Sequence, residues 1–194
     1  MLNIVLLGPP GSGKGTQGEL IGKKYGLYSI SIGDVLRKEI KDKTNIGERI
    51  KGFINQGELI PDSLIVKIFT NSLEKINNNQ GYIFDGFPRT IFQAKILDNI
   101  LKKKNTDITA VFSFCIKKEE LINRLLKRGN ILNRGDDNLK TIQNRLIVYK
   151  KQTEPLQEFY KKKEKLIKIL GSGSIESIFN CITVQITNII SSMQ

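Results

Sequence analysis

The chain is expected to fold as an α/β protein, a parallel sheet flanked by helices. Three observations carry this expectation. Short continuous apolar runs, bounded by glycine or polar residues, alternate with longer stretches of helical apolar spacing. The first run passes directly into a glycine-rich turn and then a helical stretch, the order that a parallel sheet with crossover helices requires. The 194 residues, 39% apolar and 26% charged, are enough for one domain with a sizeable core.

Residues 2–7 (LNIVLL) form an unbroken apolar run that suits a strand buried on both faces. The apolar start is too short for a secretory signal, and no basic region precedes it. A helix is expected over 13–25 and a short strand over 28–30. Residues 31–60 hold helical pieces outside the strand–helix alternation and are a candidate mobile segment. A helix over 65–76 follows, with Ile65, Ile68, Phe69, Leu73 and Ile76 on one face. After a polar turn at 77–80, a strand over 81–84 (GYIF) ends at Asp85. Helices at 91–103, 118–127, 139–150 and 176–190 alternate with strands at 110–116 (AVFSFCI) and 166–170 (LIKIL). Residues 129–137 (GNILNRGDD) read as a polar loop between two helices, a second candidate mobile element. No internal repeat or low-complexity linker interrupts the pattern.

Composition excludes several classes. No apolar run approaches the length needed to cross a bilayer, so no membrane partner is expected. The chain has no His and only two cysteines, Cys115 and Cys181, far apart in sequence. A zinc site is therefore not expected, and a disulfide is possible but unforced. The two cysteines are expected as small core residues in a reducing cytoplasm. The net charge of +12 raises nucleic-acid binding. The lysines are dispersed, however, and aromatics do not interleave with them. Solvated helix faces and a small polyanionic substrate account for the charge, and no nucleic-acid partner is expected.

The chemistry concentrates in Gly8-Pro9-Pro10-Gly11-Ser12-Gly13-Lys14-Gly15-Thr16. Between a strand and a helix, such glycines let backbone N–H groups turn inward around phosphate oxygens. The helix N-terminus adds partial positive charge, and Lys14 is placed to reach the β- and γ-phosphates. The strict form of this motif has Ser or Thr directly after the lysine, to hold magnesium. Here Gly15 intervenes and the hydroxyl comes from Thr16, so the metal is not expected to be held as motor or signalling P-loop proteins hold it.

GPPGSGKGTQ resembles the adenylate kinase family. Further motifs occur in that family's order from end to end: SISIGDVLR at 29–37, QGELIP at 56–61, DGFPRTIFQ at 85–93, NRGDD at 133–137, then Arg145 and YKKQTEP at 149–155. The resemblance implies a P-loop NTPase-like core at 1–30, 61–128 and 138–194. It also implies a mobile monophosphate-binding segment at 31–60 and a short lid at 129–137 without the inserted, often zinc-bearing domain. The implied reaction is reversible, magnesium-dependent transfer of a phosphoryl group from ATP to AMP, yielding two ADP, by a cytoplasmic monomer.

Phosphoryl transfer requires positioning and charge compensation more than covalent help. Arginine suits it, because its planar fork binds phosphate oxygens bidentately and keeps its charge. Of 31 basic residues only seven are arginine, and six of those fall at positions matching the family's phosphate binders. Arg49, within a Lys- and Glu-bearing helical stretch, is instead expected on the surface.

By the resemblance, Gly11, Ser12, Gly13, Lys14, Gly15 and Thr16 bind ATP phosphates. Arg124 and Arg128 lie on the ATP side, and Arg124 also touches the moving group. Arg37 and Arg89 hold the AMP phosphate. Arg134 and Arg145 close over the transferring phosphoryl and the AMP phosphate. Asp85, ending a buried strand, orders magnesium waters or caps a turn. Asp34 assists through water, so no protein atom ligates the metal directly. Asp136 and Asp137 are expected to cap the helix at 139 and to brace the lid arginines. Gly86, Phe87 and Pro88 belong to the AMP site, with a cis peptide implied at Phe87–Pro88. Gln93 and the backbone of Glu58, Leu59 and Ile60 read adenine, and Gly173 in GSGSI meets the adenine of ATP.

Ile32 stands where AMP enzymes of the family usually have Thr and UMP/CMP enzymes Ala. It either packs on a base face or weakens selectivity. A UMP/CMP kinase on the same fold and a non-catalytic nucleotide-binding module are the alternatives.

Overall fold

The computed structural model describes residues 1–76, 80–132 and 134–192. The turn expected at 77–80 lies, Gln80 apart, outside the described residues, as does Asn133 of the lid motif. Five strands form one parallel sheet: β1 (Ile4–Leu7), β2 (Tyr28–Ser31), β3 (Tyr82–Asp85), β4 (Ala110–Cys115) and β5 (Leu166–Leu170), in the order β2-β3-β1-β4-β5. Val5 stands beside Phe84 of β3 and Val111 of β4.

Side chains alternate across a strand, so an unbroken apolar run feeds two cores. Val5, Leu7, Phe84 and Val111 join one core, with α4 (Asp62–Glu74), α5 (Ile91–Lys103) and α8 (Pro155–Lys161). Ile4, Leu6, Ile83 and Phe112 join the other, with α1 (Lys14–Tyr25) and α9 (Ile175–Ser192). The connection leaving β1 runs to β2 at one edge, and that leaving β3 crosses to β4. The two loops therefore face each other at the C-terminal ends of the strands, where α/β sheets form ligand crevices.

Most expected elements differ from the observed ones only at their ends. Residues 31–60 resolve into α2 (Ile32–Lys41) and α3 (Asn45–Gln56), capped by the side chains of Ser31 and Thr44. Three differences are larger. Helix α6 (Lys118–Leu132) runs through half of the stretch expected as a polar loop. Its Gly129 lets residues 134–137 fold back on it: the Arg134 N–H donates to the Gly129 carbonyl at 3.1 Å, and a Cβ on Gly129 would lie 3.0 Å from that of Asp137. After α7 (Leu139–Val148), a π-helical turn (Tyr149–Thr153) leads into α8, a helix the apolar spacing did not disclose. Its signal was Pro155, at the first-turn position that proline favours.

Cys115 and Cys181 are free and exposed, not core residues. Cys115 ends β4 beyond the buried part of the strand, and Cys181 lies on the outer face of α9 beside buried Ile182. Among the described residues no helix is long and apolar enough to cross a membrane.

Candidate active site

Helix α1 begins at Gly13, which adopts φ +89°, and no side chain caps it. Its first turn carries no acidic residue. The free N–H groups and the positive end of the helix dipole therefore open onto the cleft, an anion-binding arrangement. The Lys14 ammonium folds onto its own loop. It donates to the carbonyls of Gly8 at 2.8 Å and Pro9 at 3.0 Å, and to Ser12 Oγ at 3.2 Å. Burial lowers its pKa to about 8; Asp85 opposes the shift, and Arg89, Arg145 and Arg128 add to it.

Asp85 ends β3 opposite this loop, its Oδ2 3.5 Å from where a Cβ on Gly15 would stand. The peptide Phe87–Pro88 is cis. The Phe87 ring is buried and stacked on Phe69, centroids 4.0 Å apart, which anchors the loop that carries Arg89. Arg89 Nε donates to the Gly86 carbonyl at 2.9 Å. Burial and then the charge of Arg145 lower the Arg89 pKa to about 10.

Arg37 pairs with Asp34 at 2.5 Å, one helical turn apart on α2. Across the cleft, Arg124 pairs with Glu120 and donates to the Gly171 carbonyl at 3.1 Å. Arg128 grips Asp137 bidentately at 2.7 and 2.8 Å. Arg145 reaches Asp137 at 2.8 Å and Asp136 at 3.1 Å. Burial works against the charge on Asp137, but Arg128 and then Arg145 hold its carboxyl below the usual range. Asp136 and Asp137 thus brace the arginines as expected. They do not cap α7. Asn138 does, its side chain accepting from the Thr141 N–H, because the two carboxylates are turned to the guanidinium groups.

These groups line one open cleft of about 950 Å³. It contains Gly11 to Thr16, Asp34, Arg37, Asp85, Gly86, Pro88, Arg89, Arg124, Arg128, Arg134, Arg145 and Gly173. Glu58 and Leu59 also lie on its wall and continue, with Ile60, into a side cavity of about 340 Å³. Three of the residues expected to bind nucleotide lie on neither wall. Phe87 is in the core, and Ile32 is 1% exposed in the core with Leu36 and Ile50. Gln93 is 2% exposed: its Oε1 accepts from the Arg89 N–H and its Nε2 donates to Asp62 Oδ1, each at 2.7 Å. Arg49 is exposed on α3, away from the cleft.

Sequence reasoning passed over Glu120, Asp62 and Gln17. Glu120 holds Arg124 and accepts from Ser172 at 2.9 Å, linking α6 to the loop after β5. Its four-residue spacing from Arg124 was a readable signal. Gln17 donates to the Ile175 carbonyl at 2.9 Å, a contact that only folding creates.

The oxygen donors Thr16 and Asp85, near the Lys14 loop, fit a hard cation held through water and phosphate rather than by a full protein cage. Among the described residues no group of three or more His, Cys, Asp or Glu could hold a metal.

The family model described as adenylate kinase matches residues 6–165. Proteins named adenylate kinase are similar over nearly the whole chain. That of Azobacteroides pseudotrichonymphae is 57% identical over 97% of this chain and 99% of its own length. That of Parabacteroides distasonis is 50% identical over 97% of this chain and 100% of its own. That of Bacteroides fragilis is 51% identical over 92% and 95%. With its sheet order, uncapped glycine loop and convergent arginines, the chain belongs to the adenylate kinase family of nucleoside monophosphate kinases.

Proposed function

We propose that the chain moves the γ-phosphoryl group of ATP onto AMP, forming two ADP, with the glycine loop holding the donor and the arginine wall holding the acceptor. One observation carries this division of labour. Lys14, Arg37, Arg89, Arg128, Arg134 and Arg145 share one cleft, where burial first, and then repulsion from neighbouring arginines, lowers the pKa of Lys14, Arg89, Arg134 and Arg145. Such a cluster is relieved by a nucleoside triphosphate and a nucleoside monophosphate bound together, not by one weak anion.

In this mechanism the N–H groups of Gly11 to Thr16 and the Lys14 ammonium bind the β- and γ-phosphates of ATP. Arg37 and Arg89 bind the AMP phosphate. Arg124, Arg128, Arg134 and Arg145 compensate charge on the group in transit, and the acceptor oxygen attacks in line. Asp85, with Asp34 assisting, would hold magnesium through water, and the ion would neutralise phosphate charge. Gly173 covers the ATP base. Glu58, Leu59 and Ile60 border the acceptor base in the side cavity, and Gln93 reaches it once the segment at 31–60 rearranges. That segment and the lid at 129–137 move over the core at 1–30, 61–128 and 138–194 and exclude water while both are shut. The chain acts as a cytoplasmic monomer on free nucleotides, and zinc, nucleic acid and membrane have no part in the reaction.

The test is a panel. Purified protein with Mg-ATP is offered AMP, CMP, UMP and GMP in turn, and diphosphate formation is followed. Turnover with AMP alone supports the assignment. Faster turnover with CMP or UMP replaces the acceptor base but keeps the mechanism. ATP binding without turnover on any of them overturns it.

A further inference from the structure

The last four carbonyls of a helix have no partner within it and must find one elsewhere. In α3 these belong to Phe53, Ile54, Asn55 and Gln56. The C-terminal turn satisfies the first two: the Gly57 N–H donates to Ile54 O at 3.1 Å and the Glu58 N–H to Phe53 O at 2.9 Å. The other two are satisfied from α7, across the cleft. Thr141 Oγ1 donates to Asn55 O at 2.9 Å, and Asn144 Nδ2 donates to Gln56 O at 2.6 Å.

Thr141, Asn144 and Arg145 are spaced three and four residues apart, so they share one face of α7. The contact also reaches the arginine itself. A Cβ on Gly57 would lie 2.8 Å from Arg145 Cγ and 2.8 Å from the Thr141 carbonyl. The stem of Arg145 is therefore packed against the end of α3, while its guanidinium is held by Asp136 and Asp137.

The geometry points to Thr141 and Asn144 as positioning residues that transmit the seating of α3 to Arg145. Neither touches the reacting groups in this role. They fix the helix that carries the arginine to the segment that receives AMP, so Arg145 takes its place over the cleft only when that segment is down. The proposal rests on the role given to Arg145 above.

The test is a kinetic cycle with Arg145. Combining Thr141→Val with Asn144→Ala removes both donors. It is expected to lower kcat/KM for AMP about tenfold or more, roughly the loss of two hydrogen bonds, while KM for ATP stays within about twofold. In an Arg145→Ala background the same pair is expected to have little further effect. Asn144→Asp, which keeps the shape but cannot donate, should behave as Asn144→Ala; Thr141→Ser, which keeps its donor, should behave as the parent. If the double variant does not fold, Asn144→Asp alone supplies the measurement. Unchanged AMP kinetics overturns the proposal, as does an equal loss with and without Arg145, since that would mark a merely structural contact. If Arg145→Ala itself retains full activity, the role of Arg145 fails and the relay with it. A costly Arg145→Ala beside a neutral double variant removes the relay alone.

Discussion

The two walls of the cleft are built differently. The wall proposed to receive ATP is backbone: the loop at 8–13, the uncapped start of α1 and one lysine folded over them. The other wall is side chain: arginines from α2, α7 and the loop after β3 across the cleft, joined by those of α6 beside the glycine loop, held by Asp34, Glu120, Asp136 and Asp137. The backbone wall is fixed by chain geometry, so its charge rests on Lys14. The side-chain wall spreads its charge over several groups and should lose function by degrees.

The comparison is broken most directly at Lys14. Lys14→Met is expected to lower kcat by about 10³-fold, the scale on which a single cation acts in phosphoryl transfer. An unchanged circular dichroism spectrum would show that the fold survives. A loss under tenfold would mean that the arginine wall holds both nucleotides.

Next comes Asp137→Asn. Its carboxylate has no exposed side-chain surface and serves two arginines, whereas Arg128 keeps 29% of its side chain exposed. Losing one partner of a partly buried pair should cost about 2 kcal/mol, readable in urea unfolding. Turnover should fall by about ten- to thirtyfold, because the arginines are displaced but still present. Stability unchanged within error would show that Arg128 and Arg145 need no brace.

Ile32→Thr probes the boundary between wall and core. Burying a hydroxyl in place of a methyl-bearing chain should cost about 1–2 kcal/mol. Because Ile32 lies behind the wall, the ratio of AMP to CMP turnover should change less than about threefold. A larger shift would bring this side chain into contact with the base.

The smallest effect is on pH. Burial makes the Lys14 ammonium release its proton at about 8, so it loses charge as pH rises through that value. In the free enzyme kcat/KM for ATP should decline above about pH 8. Bound phosphates favour the charged form, so kcat should hold to higher pH. Folded Lys14 binds its proton less tightly than the unfolded lysine, so between about 8 and 10.5 its contribution to stability rises with pH. Coincident pH profiles for kcat and kcat/KM would remove Lys14 as their source.

What could be read from the sequence follows the same division. The glycine loop and the five strands were legible because each is a local pattern, an apolar run or a glycine at a turn. The arginines were found by residue type and resemblance, and Asp136 and Asp137 were expected as braces, but the contacts that hold the surrounding groups were mostly not legible. Glu120 was within reach as an i,i+4 pair. Asp62 beneath Gln93, and Thr141 and Asn144 beneath α3, are 31, 86 and 88 residues from the groups they hold. Only tertiary packing brings such pairs together. Ile32 shows the converse: a position matched to a base-binding site by resemblance was drawn into the core by its own hydrophobicity. Helix α6 outran its expected end because Gly129 stays helical with Asp137 packed against it, a contact between residues eight apart that the polar composition of 129–137 does not disclose.

If the two walls bring donor and acceptor together, the phosphoryl group passes directly from one nucleotide to the other. The measurement that tests it most directly uses ATP labelled in its γ-phosphate, mixed with AMP and a stoichiometric amount of protein over a single turnover. The label is expected to move to the β-phosphate of the ADP formed from AMP, with little inorganic phosphate. Label released mainly as inorganic phosphate, or left in ATP while both nucleotides are bound, would contradict it.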